Sequence, residues 1–321
     1  MRGAEQAGDP TRVLVLAGPT ACGKTAMALR VAARTRGEII GADSRQLFRE
    51  LTIGVCSPSA AERSGVPHRL IGEVSLAERF TARDYASRAR AYIARIHAAG
   101  GAVIVAGGTG LYIGALLGGL TDLPEDAACR QRLETELRAA GSAALHERLA
   151  RLDAASAERI HPHDGLRIVR ALEVIELAGR PLSALTDGHY RTPRPPWQAR
   201  LVVLARPRHE LYARIDRRVE QMVVDGVIDE TRALLEAGLR EALVSRKALG
   251  YEAWIAVLEG SATLAEATRR VQQAHRQYAK RQITWFRHAP GAEWRMLGAP
   301  AAEDVLAAEL IAWLEAGGAS D

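Results

Sequence analysis

The sequence predicts an α/β protein, a parallel β-sheet with flanking helices that carries an inserted helical domain, and three observations predict it. Four short β-rich runs, VLVLA (13–17), EIIGA (38–42), AVIVA (102–106) and RLVVLA (200–205), are apolar on both faces, as strands covered by helices on each side must be. Helical periodicity fills the spaces between these runs. Between the third and the fourth, a segment at roughly 120–195 has helical patterning, many arginines and no strand-like run. With 321 residues, 48% of them hydrophobic, the chain is long enough for one large core plus such an insertion.

The first run leads into Gly18-Pro19-Thr20-Ala21-Cys22-Gly23-Lys24-Thr25, followed by an alanine-rich helical stretch. This is the Walker A pattern in its proper context, after a strand and opening a helix, and it makes the predicted sheet P-loop NTPase-like. Glycines let backbone amides converge on phosphate oxygens, and the helix N-terminus adds its positive dipole end. Lys24 would neutralise charge and the Thr25 hydroxyl would coordinate Mg²⁺. The motif announces phosphate and leaves open the molecule that bears it.

The second run ends in Asp43-Ser44-Arg45-Gln46. Residues at strand carboxyl ends face the ligand crevice of a doubly wound sheet, so Asp43 is a candidate general base beside the phosphate loop; capping of a helix by Asp43 or Ser44 is the competing role. Gln46 adds an amide able to pair with a base edge. A covering helix is expected at 81–98, with Tyr85, Ala89, Tyr92, Ile93 and Ile96 on its buried face. The third run closes on Gly107-Gly108-Thr109-Gly110, where a Walker B protein would place a carboxylate; this weakens a motor or GTPase reading and leaves a small-molecule kinase open.

Within the insertion, His161 and His163 in IHPHD are read as a loop constraint rather than a metal site, having no second ligand cluster nearby. The stretch GHYRTPRPPW (188–197) reads as an extended linker back to the sheet. After the fourth run, a helix with Leu211, Ile215, Val219, Met222 and Val223 on one face carries Arg214, Arg217 and Arg218, and an arginine entering the crevice would clamp a leaving phosphate. Near the end, HRQYAKRQITWFRH (275–288) interleaves basic and aromatic residues, a pattern suited to RNA and equally to a solvated cationic helix. The chain ends in the amphipathic AAEDVLAAELIAWLEA.

Lysine and arginine (43) exceed aspartate and glutamate (38), giving net +5 and a pI near 9.4, compatible with a polyanionic partner. Cys22, Cys56 and Cys129 are widely spaced, which argues against a disulfide framework or zinc site and fits a cytoplasmic protein. No export signal or membrane-spanning run is recognisable, so no membrane role is expected. Cys22, at a helix N-terminus beside a lysine, is either a quiet substitute for serine or an oxidant-sensitive thiol.

Together, GPTACGKT, ADSRQLF, PHRLI (67–71), GGTGLY, IHPHD with RALEV (170–174), and YAKRQITWFR resemble the tRNA dimethylallyltransferases, also called tRNA isopentenyltransferases, in order and spacing from about residue 12 to 290. The resemblance implies transfer of a dimethylallyl group from dimethylallyl diphosphate to N6 of the adenosine 3′-adjacent to the anticodon of certain tRNAs. It implies that residues 18–25 bind the diphosphate with Mg²⁺, that Asp43 is the general base, that Thr109 positions the amine, and that Arg218 contacts pyrophosphate. It further implies tRNA contacts at Asp43, Ser44, Arg45, Gln46, Thr109, Arg130, Arg167, Arg170, Arg246, Lys247, Gly250, Tyr251, Lys280 and Arg281. Residues 12–119 and 198–321 would form the catalytic core, 120–197 would grip the anticodon stem-loop, and the chain would act as a monomer.

The chain departs from that family's pattern at Gly54-Val55-Cys56-Ser57-Pro58, where Gly-Thr-Ala-Lys-Pro is usual. It also has Cys22 for serine, His163 for asparagine, Gly114 for lysine and His275 for threonine. Competing readings are a small-molecule or nucleotide kinase, an adenylate isopentenyltransferase, and a tRNA-binding protein without turnover. The basic C-terminal region and long insertion favour tRNA over a free nucleotide.

Overall fold

The computed structural model describes residues 11–121, 123–186, 197–246 and 248–316. The chain divides into two compact units, Met1–Leu117 with Arg194–Asp321, and Gly118–Pro193. In chain order the first contains β1 (Arg12–Ala17), α1 (Lys24–Thr35), β2 (Glu38–Gly41), α2 (Ala60–Gly65), β3 (His68–Arg69), α3 (Ala82–Ala98), β4 (Val103–Gly107) and α4 (Gly110–Gly118). The second holds α5 (Ala127–Leu152), α6 (Ala154–Arg159), α7 (Gly165–Ala178) and α8 (Leu182–Leu185). The chain then returns through β5 (Gln198–Ala205), α9 (Arg208–Val224), α10 (Val227–Glu236), α11 (Arg240–Ser245), α12 (Tyr251–Leu258), α13 (Leu264–Arg287), β6 (Ala292–Met296) and α14 (Pro300–Glu315).

The sheet order is β3-β2-β4-β1-β5-β6, with every pairing parallel. Alternate residues of the central strands feed two cores. Val13, Val15, Val103 and Val203 meet Tyr85, Ala89 and Ile93 of α3, while Leu14, Leu16, Ile104 and Val202 meet α1, α9 and α14 through Val31, Ile215 and Leu310. Burial on both faces is why these strands read as unbroken apolar runs. The helix expected at 81–98 begins at Ala82 behind a Thr81–Asp84 capping box, and of its expected face only Tyr92 is half-exposed.

Two strands were not expected. β3 is only two residues long, and β6 is an edge strand, paired with β5 alone, that leaves Trp294 and Met296 exposed, so neither carries a two-faced apolar signature. In the second unit, Leu133, Leu145, Leu149, Ile168 and Leu172 form a separate core between α5 and α7, and no strand occurs among its described residues. Most of the linker expected at 188–197 lies outside the described residues, as does Lys247.

Candidate functional site

The phosphate loop spans the turn from β1 to α1. Gly18 has φ +143°, and a Cβ there would fall 2.4 Å from the Leu204 carbonyl oxygen, so only glycine fits. Gly23 is the N-cap of α1 and offers no capping side chain, which leaves the first-turn amides for an anion. The loop is braced from outside. Gln282 Oε1 accepts from the Thr20 amide at 2.8 Å, Arg214 Nε donates to the Ala21 carbonyl at 2.8 Å, and Arg206 Nε donates to the Cys22 carbonyl at 2.8 Å. Lys24 Nζ donates to the carbonyls of Pro19 (2.8 Å) and Gly18 (3.0 Å). Cys22 is fully buried, which removes the exposure a reactive thiol requires and supports the quiet reading.

α9 brings positive charge to this loop. Arg218 Nη1 donates to Thr20 Oγ1 at 3.4 Å, whereas Arg217 points to solvent. Burial, and then repulsion from Arg206 and Arg218, hold Arg214 below the usual arginine range. Three guanidinium groups crowded at one loop favour an anion between them. Behind Arg218 lies His275, 7% exposed, its Nε2 without a hydrogen bond; burial, assisted by Arg218, drives its imidazole down to about 4, so it stays neutral.

On the facing side, Asp43 follows β2 in a tight turn, its Oδ1 accepting from the amides of Arg45 (2.8 Å) and Gln46 (3.4 Å). It therefore caps a turn, not the helix that the competing reading expected, while remaining in the site. Thr109 Oγ1 accepts from the Ser44 amide at 2.9 Å and donates to Ser44 Oγ at 3.3 Å, and the Thr109 amide donates to the Ala42 carbonyl at 3.0 Å. The turns after β2 and β4 are thus tied together. Tyr278 of α13 reaches the Thr109 hydroxyl, and burial, with the Asp43 charge nearby, pushes its phenol up to about 12, so it remains a hydroxyl. A cavity of about 240 Å³ is lined by Thr20, Lys24, Thr25, Asp43, Arg218 and Gln282, among others.

Val55 and Cys56 form part of the same wall. Their carbonyls accept from Gln46 Nε2 at 3.2 and 2.8 Å, so the Gln46 amide N–H₂ is engaged with backbone rather than displayed for a base edge. This loop is held by Glu230 of α10, whose carboxylate accepts from the amides of Thr52 (2.9 Å), Ile53 (2.7 Å) and Gly54 (3.0 Å) and from the Tyr251 hydroxyl (2.6 Å). Tyr251 is 1% exposed, which corrects the expectation of a tRNA contact through its side chain: its place is beneath the loop. Ser57, standing where the family has lysine, donates to the Leu51 carbonyl at 3.4 Å and adds no charge.

The other expected tRNA-facing residues are scattered. The Arg246 guanidinium lies over the Phe48 ring at 5.7 Å and donates to the Glu78 carbonyl, and Gly250 opens α12. Lys280 and Arg281 are exposed on α13, Lys280 lining a groove of about 590 Å³ with Arg208, Arg287 and Trp294, and Arg281 lying over the Tyr278 ring at 5.7 Å. In the second unit, Arg130 (2.9 Å) and Arg170 (2.8 Å) converge on the carboxylate of Glu173, which is 0% exposed. Burial pushes that carboxyl up, but the hydrogen bonds from Arg170, the Asp126 amide and Arg130 outweigh it and leave it below the usual range. Arg167 is 65% exposed and pairs with Asp164 at 3.4 Å. The His163 amide donates to His161 Nδ1 at 3.1 Å, as a loop constraint would.

The donor set is oxygen-rich. Thr25 and Asp43 line the cavity, and among the described residues no group of three or more His, Cys, Asp or Glu could hold a metal by itself. A hydroxyl and a carboxylate are oxygen donors that fit Mg²⁺, which takes most of its ligands from phosphates and water, and Thr25 would be the protein's hydroxyl ligand to it. Sequence reading missed Arg206, Gln282, Tyr278 and Glu230. The first two brace backbone, an action without a local pattern, while Tyr278 and Gln282 stand at i and i+4 inside a stretch read only for its charge and aromaticity.

A profile of the IPP transferase family matches residues 46–289. The chain is 48% identical over 284 residues to a tRNA dimethylallyltransferase of Anaeromyxobacter, covering 88% of this chain and 94% of that one. It is 43% identical over 290 residues to a tRNA dimethylallyltransferase of Geobacter sulfurreducens, with 90% and 93% covered. Among solved structures, the tRNA isopentenylpyrophosphate transferase of Bacillus halodurans superposes with a TM-score of 0.69 at 34% identity, covering 95% of this chain and 97% of that one. A eukaryotic dimethylallyltransferase solved acting on tRNA shares the fold, with a TM-score of 0.76 at 24% identity over 95% of this chain and 77% of its own.

Proposed function

The chain belongs to the IPP transferase family, and from that premise we propose that it transfers a dimethylallyl group from dimethylallyl diphosphate to N6 of the adenosine 3′-adjacent to the anticodon in tRNA. The observation that carries this reading is the shared cavity: the phosphate loop and Arg218 line it as one half and the Asp43 carboxylate as the other, with Asp43's turn tied to Thr109 through the Ser44 amide. The reaction needs those two halves facing each other.

In this reading N6 attacks the allylic C1 of the donor, the C1–O bond breaks, pyrophosphate departs, and the proton on N6 passes to Asp43. The loop amides, Lys24 and Arg218 take up charge that grows on the leaving oxygens, an interaction stronger in the transition state than in the bound donor. Lys24 would exchange the carbonyls of Gly18 and Pro19 for phosphate oxygens. Bound Mg²⁺, held in part by Thr25, would supply further charge neutralisation on the diphosphate. Thr109, fixed through Ser44, holds the acceptor amine beside Asp43. The target base leaves its stack to enter, a cost of roughly a few kcal/mol that an anticodon loop lowers.

Exposed Arg167, Lys280 and Arg281, with Arg246 and Gly250, are proposed to contact tRNA, and residues 120–197 to grip the anticodon stem-loop. The protein is read as a cytoplasmic monomer. The test is incubation of purified protein with Mg²⁺, dimethylallyl diphosphate and unmodified tRNA, followed by mass analysis of the adenosines; parallel reactions offer AMP as acceptor and ATP as donor. Isopentenyl addition at the adenosine beside the anticodon supports the reading. Turnover of ATP alone, or prenylation of AMP but not tRNA, sinks it.

A further inference from the structure

We infer that Gln282 is a positioning residue that sets the distance between the donor cradle and the acceptor-amine site. The inference rests on the transfer reaction proposed above. Gln282 is 4% exposed, near the C-terminal end of α13, and it lines the cavity. Both ends of its amide are engaged with backbone, one on the phosphate loop and the other on the turn after β4. Oε1 accepts from Thr20 of the phosphate loop at 2.8 Å, and Nε2 donates to the carbonyl of Gly108 at 2.9 Å. Gly108 adjoins Thr109, which is bonded in turn to Ser44 beside Asp43.

The amide is thus the side-chain strut between the loop that would hold the leaving group and the turn that would hold the nucleophile. Its fit is tight, because a Cβ at position 108 would lie 2.1 Å from Gln282 Nε2. The amide supplies one acceptor and one donor at this spacing, which an ionised carboxylate of the same shape does not. The neighbouring turn of α13 reinforces the arrangement, with Tyr278 reaching the Thr109 hydroxyl. A near-attack geometry depends on such supports, since a misplacement of about 1 Å costs on the order of a hundredfold in rate.

The test is Gln282→Glu, which keeps the shape and the acceptor for Thr20 but, when ionised, turns the donor toward Gly108 into a repelled oxygen. With dimethylallyl diphosphate and unmodified tRNA at pH 8, kcat is expected to fall by about tenfold or more while KM for tRNA stays within about twofold. Protonation of the introduced carboxyl restores the donor, so the ratio of variant to wild-type kcat is expected to rise as pH falls toward 6. A kcat within about threefold of wild type, or a ratio that does not move with pH, overturns the inference.

Should that variant fail to fold, Gln282→Ala decides the matter: kcat is expected to fall by about tenfold or more with KM for tRNA within about twofold, and a kcat within about threefold of wild type overturns the inference. If wild type itself transfers no prenyl group, the reaction assignment is what fails, and the variants are then not the cause.

Discussion

Asp43 spends Oδ1 on its own turn, accepting from Arg45 and Gln46, and in the proposed reaction it also takes the proton from N6. Asparagine keeps the acceptor and loses the base, so Asp43→Asn separates the two roles where alanine would disturb both. Transfer is expected to drop by about 10²–10⁴-fold with little change in the unfolding midpoint; rapid-quench assays and thermal melts check both. His275 makes a prediction of opposite kind, on stability. Its folded value of about 4 lies below the ordinary 6.5 of an unfolded histidine. The unfolded chain therefore binds the proton first, and the stability this residue contributes is fully present above 6.5 and lost as pH falls toward 4. Between pH 7 and 5 that loss is about 2 kcal/mol. His275→Thr should flatten the dependence of unfolding free energy on pH across that window, as denaturant melts at pH 7, 6 and 5 would show.

At the scale of elements, the loop 52–58 shows how a cavity wall is held by a helix, α10, that does not line the cavity itself. Glu230 collects three successive amides and the Tyr251 hydroxyl; burial pushes its carboxyl up, and the bonds from Thr52, Tyr251, Gly54 and Ile53 more than offset that, leaving it below the usual range. Glu230→Gln is expected to cost about 2–3 kcal/mol in denaturant melts and to raise the donor KM by loosening Val55 and Cys56. Nothing in the sequence around Glu230 distinguishes it from a solvated helix carboxylate, because its three amide partners lie about 180 residues away. The same limit explains what else was hidden. The strands before the Walker loop, Asp43 and Thr109 were legible because burial on both faces writes a local apolar run and strand ends place their turns in the crevice. β6, apolar on one face only because Glu293 and Arg295 occupy the other, and the braces Arg206 and Gln282, whose meaning is a distant carbonyl or amide, leave no such trace.

For the molecule as a whole, the proposed reaction asks a net charge of +5 to serve two polyanions, and the structure separates half-buried cations from exposed ones. Arg206, Arg214 and Arg218 surround the phosphate loop, with the Arg206 side chain only 10% exposed, whereas Arg167, Lys280, Arg281 and Arg287 face solvent. Exposed charges lose their attraction to phosphates when salt supplies competing ions, while partly buried ones are screened much less. Raising monovalent salt from about 50 to 200 mM should therefore weaken tRNA binding by about 10²–10³-fold, as about four to six phosphate contacts would require. Inorganic pyrophosphate binding at the loop should weaken by less than about tenfold over the same range. Equilibrium filter binding for tRNA and calorimetry for pyrophosphate, both in Mg²⁺, measure the two slopes. Equal slopes would mean that the loop cations and the surface cations act as one field, and the division of labour drawn from their burial would be wrong.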